Sequence, residues 1–346
     1  MNKGLKRDQI QPKKSIDLRT ISREDLLQTR LCDLPLKLSK SWAQGCITKL
    51  YEELALKDIR LKPHVWVSDD WFSPDGVPGF AIPFFILHPR LIALEQELIG
   101  EAEGGDRAWC MMLMRHETGH CIDNAYHLRK NKRRQLLFGL TSTPYPVSYQ
   151  PNIRSRQFVR HLDGNYAQAH PDEDWAETFA VWLTPRSSWR RVYASWPAIK
   201  KLNLLDEILE NVRSEKPIVS KRARMDDISQ MTMTLGEYYQ IKRRRLGLNK
   251  KSPLKKDLKK IFSLKGEVPA WRFVNDSKVQ IIGQVAKNTR LQHYKIKKML
   301  REVQNTCRQE NLKVSNKLGE SRKQLITLMT KNSEGFVKSS PPRIIM

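Results

Sequence analysis

The stretch MRHETGHCIDNAYHL, residues 114–128, governs how the rest of the chain is read. It contains His116-Glu117-Thr118-Gly119-His120, an HExxH pattern. On a helix, residues four apart lie one turn apart on the same face, so both imidazoles reach a single metal ion. Glu117 stands beside them, outside the metal, where it can take a proton from water and pass it to a leaving amine. The pattern therefore predicts a helix, a zinc ion (Zn2+) and a general base together. The alternative is a helix face with one packed and one solvated histidine. The strongly apolar WCMMLM at 109–114 argues against it, because it predicts a buried helix.

Working outward, Gly104-Gly105-Asp106 supplies a break and an N-cap for a helix over about 107–128. The cluster Arg129, Lys130, Lys132, Arg133, Arg134 suits its C-terminal end, where the helix dipole favours cations. A catalytic zinc usually has three protein ligands and one open position. Asp123 lies seven residues after His116 on nearly the same face. Three ligands along one straight helix would strain around one ion, so Asp123 is read as supporting or capping the site. The segment PDEDWAETFAVWLTP, 171–185, offers better ligands. It predicts a helix over about 173–183 capped by Asp172, with Glu173 and Glu177 on one face and Trp175, Ala176, Phe179 and Leu183 on the apolar side. A charged pair on so apolar a helix is costly unless compensated, and a metal compensates it. A surface carboxylate pair is the alternative.

Upstream, HVWVSDDWF at 64–72 and GFAIPFFIL at 79–87 predict strands, with Pro83 placing the second at a sheet edge. Helices are expected between Glu24 and Leu56, broken near Pro35, and over 91–100. Residues 139–157, with three prolines, predict a long loop. The whole is an α+β reading: a flexible basic arm over 1–19, a catalytic domain over 20–215, a basic helical extension over 216–331 and a disordered tail over 332–346.

The 346 residues are 40% hydrophobic and 29% charged, which excludes collagen-like, disulfide-scaffold and wholly disordered chains. Sixty-two Lys and Arg against 37 Asp and Glu leave a formal charge of +25. That excess admits an anionic partner, nucleic acid included, through the basic region at 242–260, although such a run is more often a solvated face. Five scattered cysteines without a CxxC pair fit a reducing cytoplasm better than a disulfide framework. The basic N-terminus lacks an apolar h-region, and no stretch approaches the ~20 residues of a membrane helix. Oligomeric state stays open.

GVPGFAIPFFILHPRL, MRHETGHCIDNAYHL and NYAQAHPDEDWAETFAVWLTP together resemble the bacterial family called putative zinc-binding metallopeptidases, over about residues 16–265. The Glu173-Asp174-Trp175-Ala176-Glu177 stretch is similar to the glutamate helix of lethal-factor-type gluzincins. That resemblance implies a zincin-like fold with a mixed sheet over the HExxH helix. It implies zinc held by His116, His120 and Glu173, support from Glu177, and Tyr166, seven residues before Glu173, as oxyanion donor. The expected activity is zinc-dependent hydrolysis of a peptide or protein, with Glu117 as base and the 79–87 edge holding the substrate. A zinc amide hydrolase of non-protein substrates and a nucleic-acid-binding protein are the rival readings. His161 and His170 are read as structural.

Overall fold

The fold is built around one buried helix and the second helix laid against it. The computed structural model describes residues 16–146, 148–152, 154–246, 248, 254–289, 291, 293–314, 317–339 and 344–345. In chain order the first elements are α1 (Arg23–Gln28), α2 (Trp42–Ala55), β1 (His64–Ser68), β2 (Gly79–Pro83), α3 (Pro89–Leu98) and α4 (Arg107–Tyr126). There follow α5 (Lys132–Phe138), β3 (Ser148–Tyr149), α6 (Pro171–Leu183), α7 (Trp189–Val192), α8 (Ile199–Glu210) and α9 (Leu235–Arg245). The remainder is α10 (Lys255–Ile261), β4 (Val268–Pro269), α11 (Ala270–Asp276), α12 (Lys278–Thr289), α13 (His293–Gln309), β5 (Lys313–Val314), α14 (Leu318–Ser339) and β6 (Ile344–Ile345).

Helix α4 begins where Asp106 accepts a hydrogen bond from the Trp109 amide, and ends at His127 in the left-handed conformation, with φ 54°. Nearly all of it from Cys110 to Tyr126 is buried, because α6, α2 and β2 pack on separate sides of it. In α6, Pro171 occupies the first turn, where a missing N–H costs nothing. The N-cap is His170, whose ring nitrogen accepts from the Asp172 amide, and not Asp172 as expected. Every residue from Asp172 to Leu183 is buried.

The sheet is smaller than expected. Among the described residues, β1 and β2 form a parallel pair in the register His64↔Gly79 to Ser68↔Pro83, and Phe72 bridges Ala81 on β2. Strand β2 is therefore an inner strand, fully buried, with Pro83 as its last residue and not an edge marker. Residues 84–87 turn into a 3-10 helix. The side of β2 away from β1, expected as a substrate edge at 79–87, is thus taken at its centre by Phe72, whose carbonyl accepts from the Ala81 amide at 2.8 Å.

Two apolar cores result. The first spans Leu18 to Tyr239 and takes in Leu235 and Tyr238 of α9, with Leu248 packed against it. The amides of Ile218 and Val219 both donate to the Ala125 carbonyl, which ties the 216–219 segment to the end of α4. The second core runs from Leu254 to Met329. The first core thus takes in residues on both sides of the expected 215/216 division, and the second begins at Leu254. Of the expected arm, residues 1–15 lie outside the described residues, while Leu18 is buried. Of the expected tail, 332–339 continue α14 and β6 pairs with β3. Part of the basic run is paired within the chain: Lys242 with the buried Glu95, and Lys255 and Lys259 at the surface with Glu310. All five cysteines are free thiols, and among the described residues no helix is long and apolar enough to cross a membrane.

Candidate metal centre

The site lies where α4 and α6 come closest. A Cβ built on Gly119 would stand 2.7 Å from the Ala176 Cα and 3.0 Å from its carbonyl oxygen, so only glycine allows this approach. The Trp175 indole N–H donates to the Gly119 carbonyl at 3.1 Å and locks the pair. This contact sits between the histidines of one helix and the glutamates of the other. It brings His116, His120 and Glu173 into one group whose ligand atoms could hold a metal ion.

The distances within that group carry information. Glu173 Oε2 is 3.0 Å from His116 Nε2 and 3.4 Å from His120 Nε2, and the two Nε2 atoms are 3.3 Å apart. Ligands at ~2.0–2.1 Å around a tetrahedral zinc stand about 3.3 Å from one another. Glu173 Oε2 is buried and has no hydrogen-bond partner, an expensive condition for a carboxylate oxygen. A triangle of two nitrogens and one orphaned oxygen of this size fits a zinc ion.

The surrounding groups orient the triangle. His116 Nδ1 lies 2.9 Å from Glu177 Oε1 and donates to it, so Nε2 is the nitrogen that faces the site. Glu177, fully buried, accepts from the Leu162 amide through its other oxygen at 2.9 Å. Arg115, next to His116, forms a two-pronged buried pair with Glu53 of α2, both contacts at 2.7 Å. Glu117 is buried on α4 between the histidines. Burial raises its carboxyl above the ordinary range, with His116 and His120 pulling the other way. For Glu173, burial works upward, but His120 and His116 outweigh it and hold the carboxyl well below its usual range.

Tyr166 sits on the turn 163–168, where Gly164 and Asn165 have positive φ, and its ring centroid is 5.5 Å from that of His116. Burial and then the negative charge of Glu173 raise its hydroxyl well above the ordinary phenol value. Asp123 does not join the group. Its carboxylate accepts from Arg129 at 3.0 Å and Arg134 at 2.8 Å, and Arg134 also reaches Asp172. It braces the helices beneath the site. His161 bonds to the Met112 carbonyl at 3.0 Å and His170 caps α6, both structural roles. Sequence reading missed Tyr145, whose hydroxyl donates to Glu173 Oε1 at 2.9 Å. It lies 28 residues before its partner, in the proline-rich loop, and no spacing rule points to it.

Residues 110–253 match the family model described as "Putative zinc-binding metallo-peptidase". The resemblance read from the motifs is shown for this segment, which holds the HExxH and both glutamates. No curated protein and no solved structure gives a match to the chain.

Proposed function

We propose that this chain is a zinc-dependent peptidase of the gluzincin type, with a zincin-like catalytic unit formed by α4, α6 and the β1–β2 pair. The observation that carries the reading is the buried Glu173 Oε2, without a hydrogen bond and 3.0–3.4 Å from two imidazole nitrogens. His116, His120 and Glu173 would hold the ion. Zinc bound there supplies a Lewis acid that polarises a carbonyl and acidifies water. Glu117 takes the proton of the attacking water and delivers it to the leaving amine. Its place between the two histidines, buried and outside the ligand group, suits that shuttle. Tyr166 donates a hydrogen bond to the carbonyl oxygen as negative charge builds on it. Glu177 keeps the His116 ring in the orientation and tautomer that expose Nε2.

The basic C-terminal region supports an anionic partner less well, because Lys242, Lys255 and Lys259 already have carboxylate partners. The peptidase reading is tested by metal analysis and peptide-library cleavage on the same samples. Wild type should carry about one zinc per chain, and His120→Ala should lose most of it. Full occupancy in His120→Ala would reject the assignment.

A further inference from the structure

We infer that Tyr145, held in place by His170, is a positioning residue that fixes Glu173 so that only one carboxylate oxygen faces the histidines. This rests on the reading of Glu173 as a ligand. The Tyr145 hydroxyl donates to Glu173 Oε1 at 2.9 Å, while Oε2 is the oxygen turned toward His116 and His120. One oxygen is engaged and the other is presented. A carboxylate free to rotate would offer both oxygens to an ion and fill the position that the attacking water needs.

Tyr145 lies between Pro144 and Pro146 on an exposed loop and is itself 50% exposed, so something must hold it. His170 does so in three ways. Its ring stacks on that of Tyr145, with centroids 3.6 Å apart and planes 13° from parallel. Its Nε2–H donates to the Thr143 carbonyl at 2.7 Å, two residues before Tyr145. Its Nδ1 accepts from the Asp172 amide at 3.1 Å, beside Glu173. One buried imidazole thus ties the loop to the first turn of the ligand helix, and its face is the platform for the tyrosine.

The test is cobalt substitution read by visible absorption, with zinc affinity measured by competition with a chelator; neither readout needs turnover. Wild type should show the intense bands of a four-coordinate ion. Tyr145→Phe keeps the stacked ring but removes the hydroxyl. Its bands should weaken and shift as Glu173 takes up the ion through both oxygens, with zinc affinity ~10–100-fold lower. His170→Ala should reproduce the change. Tyr149→Phe, which removes a nearby hydroxyl on β3 bonded instead to the Gly164 carbonyl, should keep the wild-type spectrum. A wild-type spectrum and affinity in Tyr145→Phe would overturn the inference, as would an equal shift in Tyr149→Phe. A wild-type spectrum in His170→Ala would remove His170 from it. Failure of wild type to bind either ion would instead overturn the metal centre itself.

Discussion

The two cores bury different things. Around α4 and α6 the first core encloses Glu53, Arg115, His116, Glu117, Asp123, Arg134, Asp172, Glu173, Asp174 and Glu177. The buried polar residues of the second, Gln304, Asn305, Thr306, Ser277, Ser321 and Ser333, are all uncharged. Desolvating an ion costs several kcal/mol even after relaxation, about as much as a whole domain has to spare. A structure built for stability alone would look like the second core. The first keeps charges paired across helices, Arg115 with Glu53, Arg134 with Asp123, Lys201 with Asp174, and sets Glu173 Oε2, without a hydrogen bond, beside two imidazole nitrogens.

The sharpest way to break this contrast is Glu117→Gln. It should retain zinc while turnover falls by ~10²–10⁴-fold, measured as amide hydrolysis against metal content. Undiminished cleavage would make the buried Glu117 a structural group like any in the second core. Next in size, Leu325→Ala in the second core should cost about 2–5 kcal/mol of stability in denaturant unfolding. Its zinc affinity should match wild type, and a parallel loss of metal would show the two cores to be one unit. Gly119→Ala should cost about 1–3 kcal/mol through overpacking against Ala176 and weaken zinc binding as the helices part. An unchanged melting temperature would mean that the close approach is slack. The smallest effect is expected of Glu177→Ala: zinc affinity falls ~10–100-fold, with the ion still bound at high concentration. A loss as severe as that of Glu173→Ala would make Glu177 a ligand and not an orienting group. Hydrogen exchange adds a regional view, since chelator treatment should speed exchange in α4 and α6 and leave α12 and α14 as they were.

What could be read from the sequence was local. Asp106 as cap and the apolar run after it placed α4 to within two residues, because capping and periodicity act over a single turn. The pairing of Glu173 and Glu177 on one face followed from helical spacing. Features that depend on chain reversal were harder to see. His170 displaced Asp172 as the cap of α6 because Asp172 was taken by Arg134 and Thr141, partners 38 and 31 residues away. The 79–87 run became an inner strand because β1 and Phe72 approach it from both sides. Tyr145 reaches Glu173 only through the path of an irregular loop, where no periodicity exists to be read.

The contact between Gly119 and Ala176 also has a mechanical side. It lies one residue from His120 and from Glu177 and three from His116 and from Glu173, so the two helices pivot about a point almost at the site. Around such a fulcrum a small rocking of α6 moves Glu173 little, whereas the far end of the same helix swings widely. Trp182, bonded to Asp206 of α8 at 2.6 Å, sits at that far end and ties it down. The geometry of His116, His120 and Glu173 is thereby insulated from movements at the surface, as the jaws of pliers are from play at the handles.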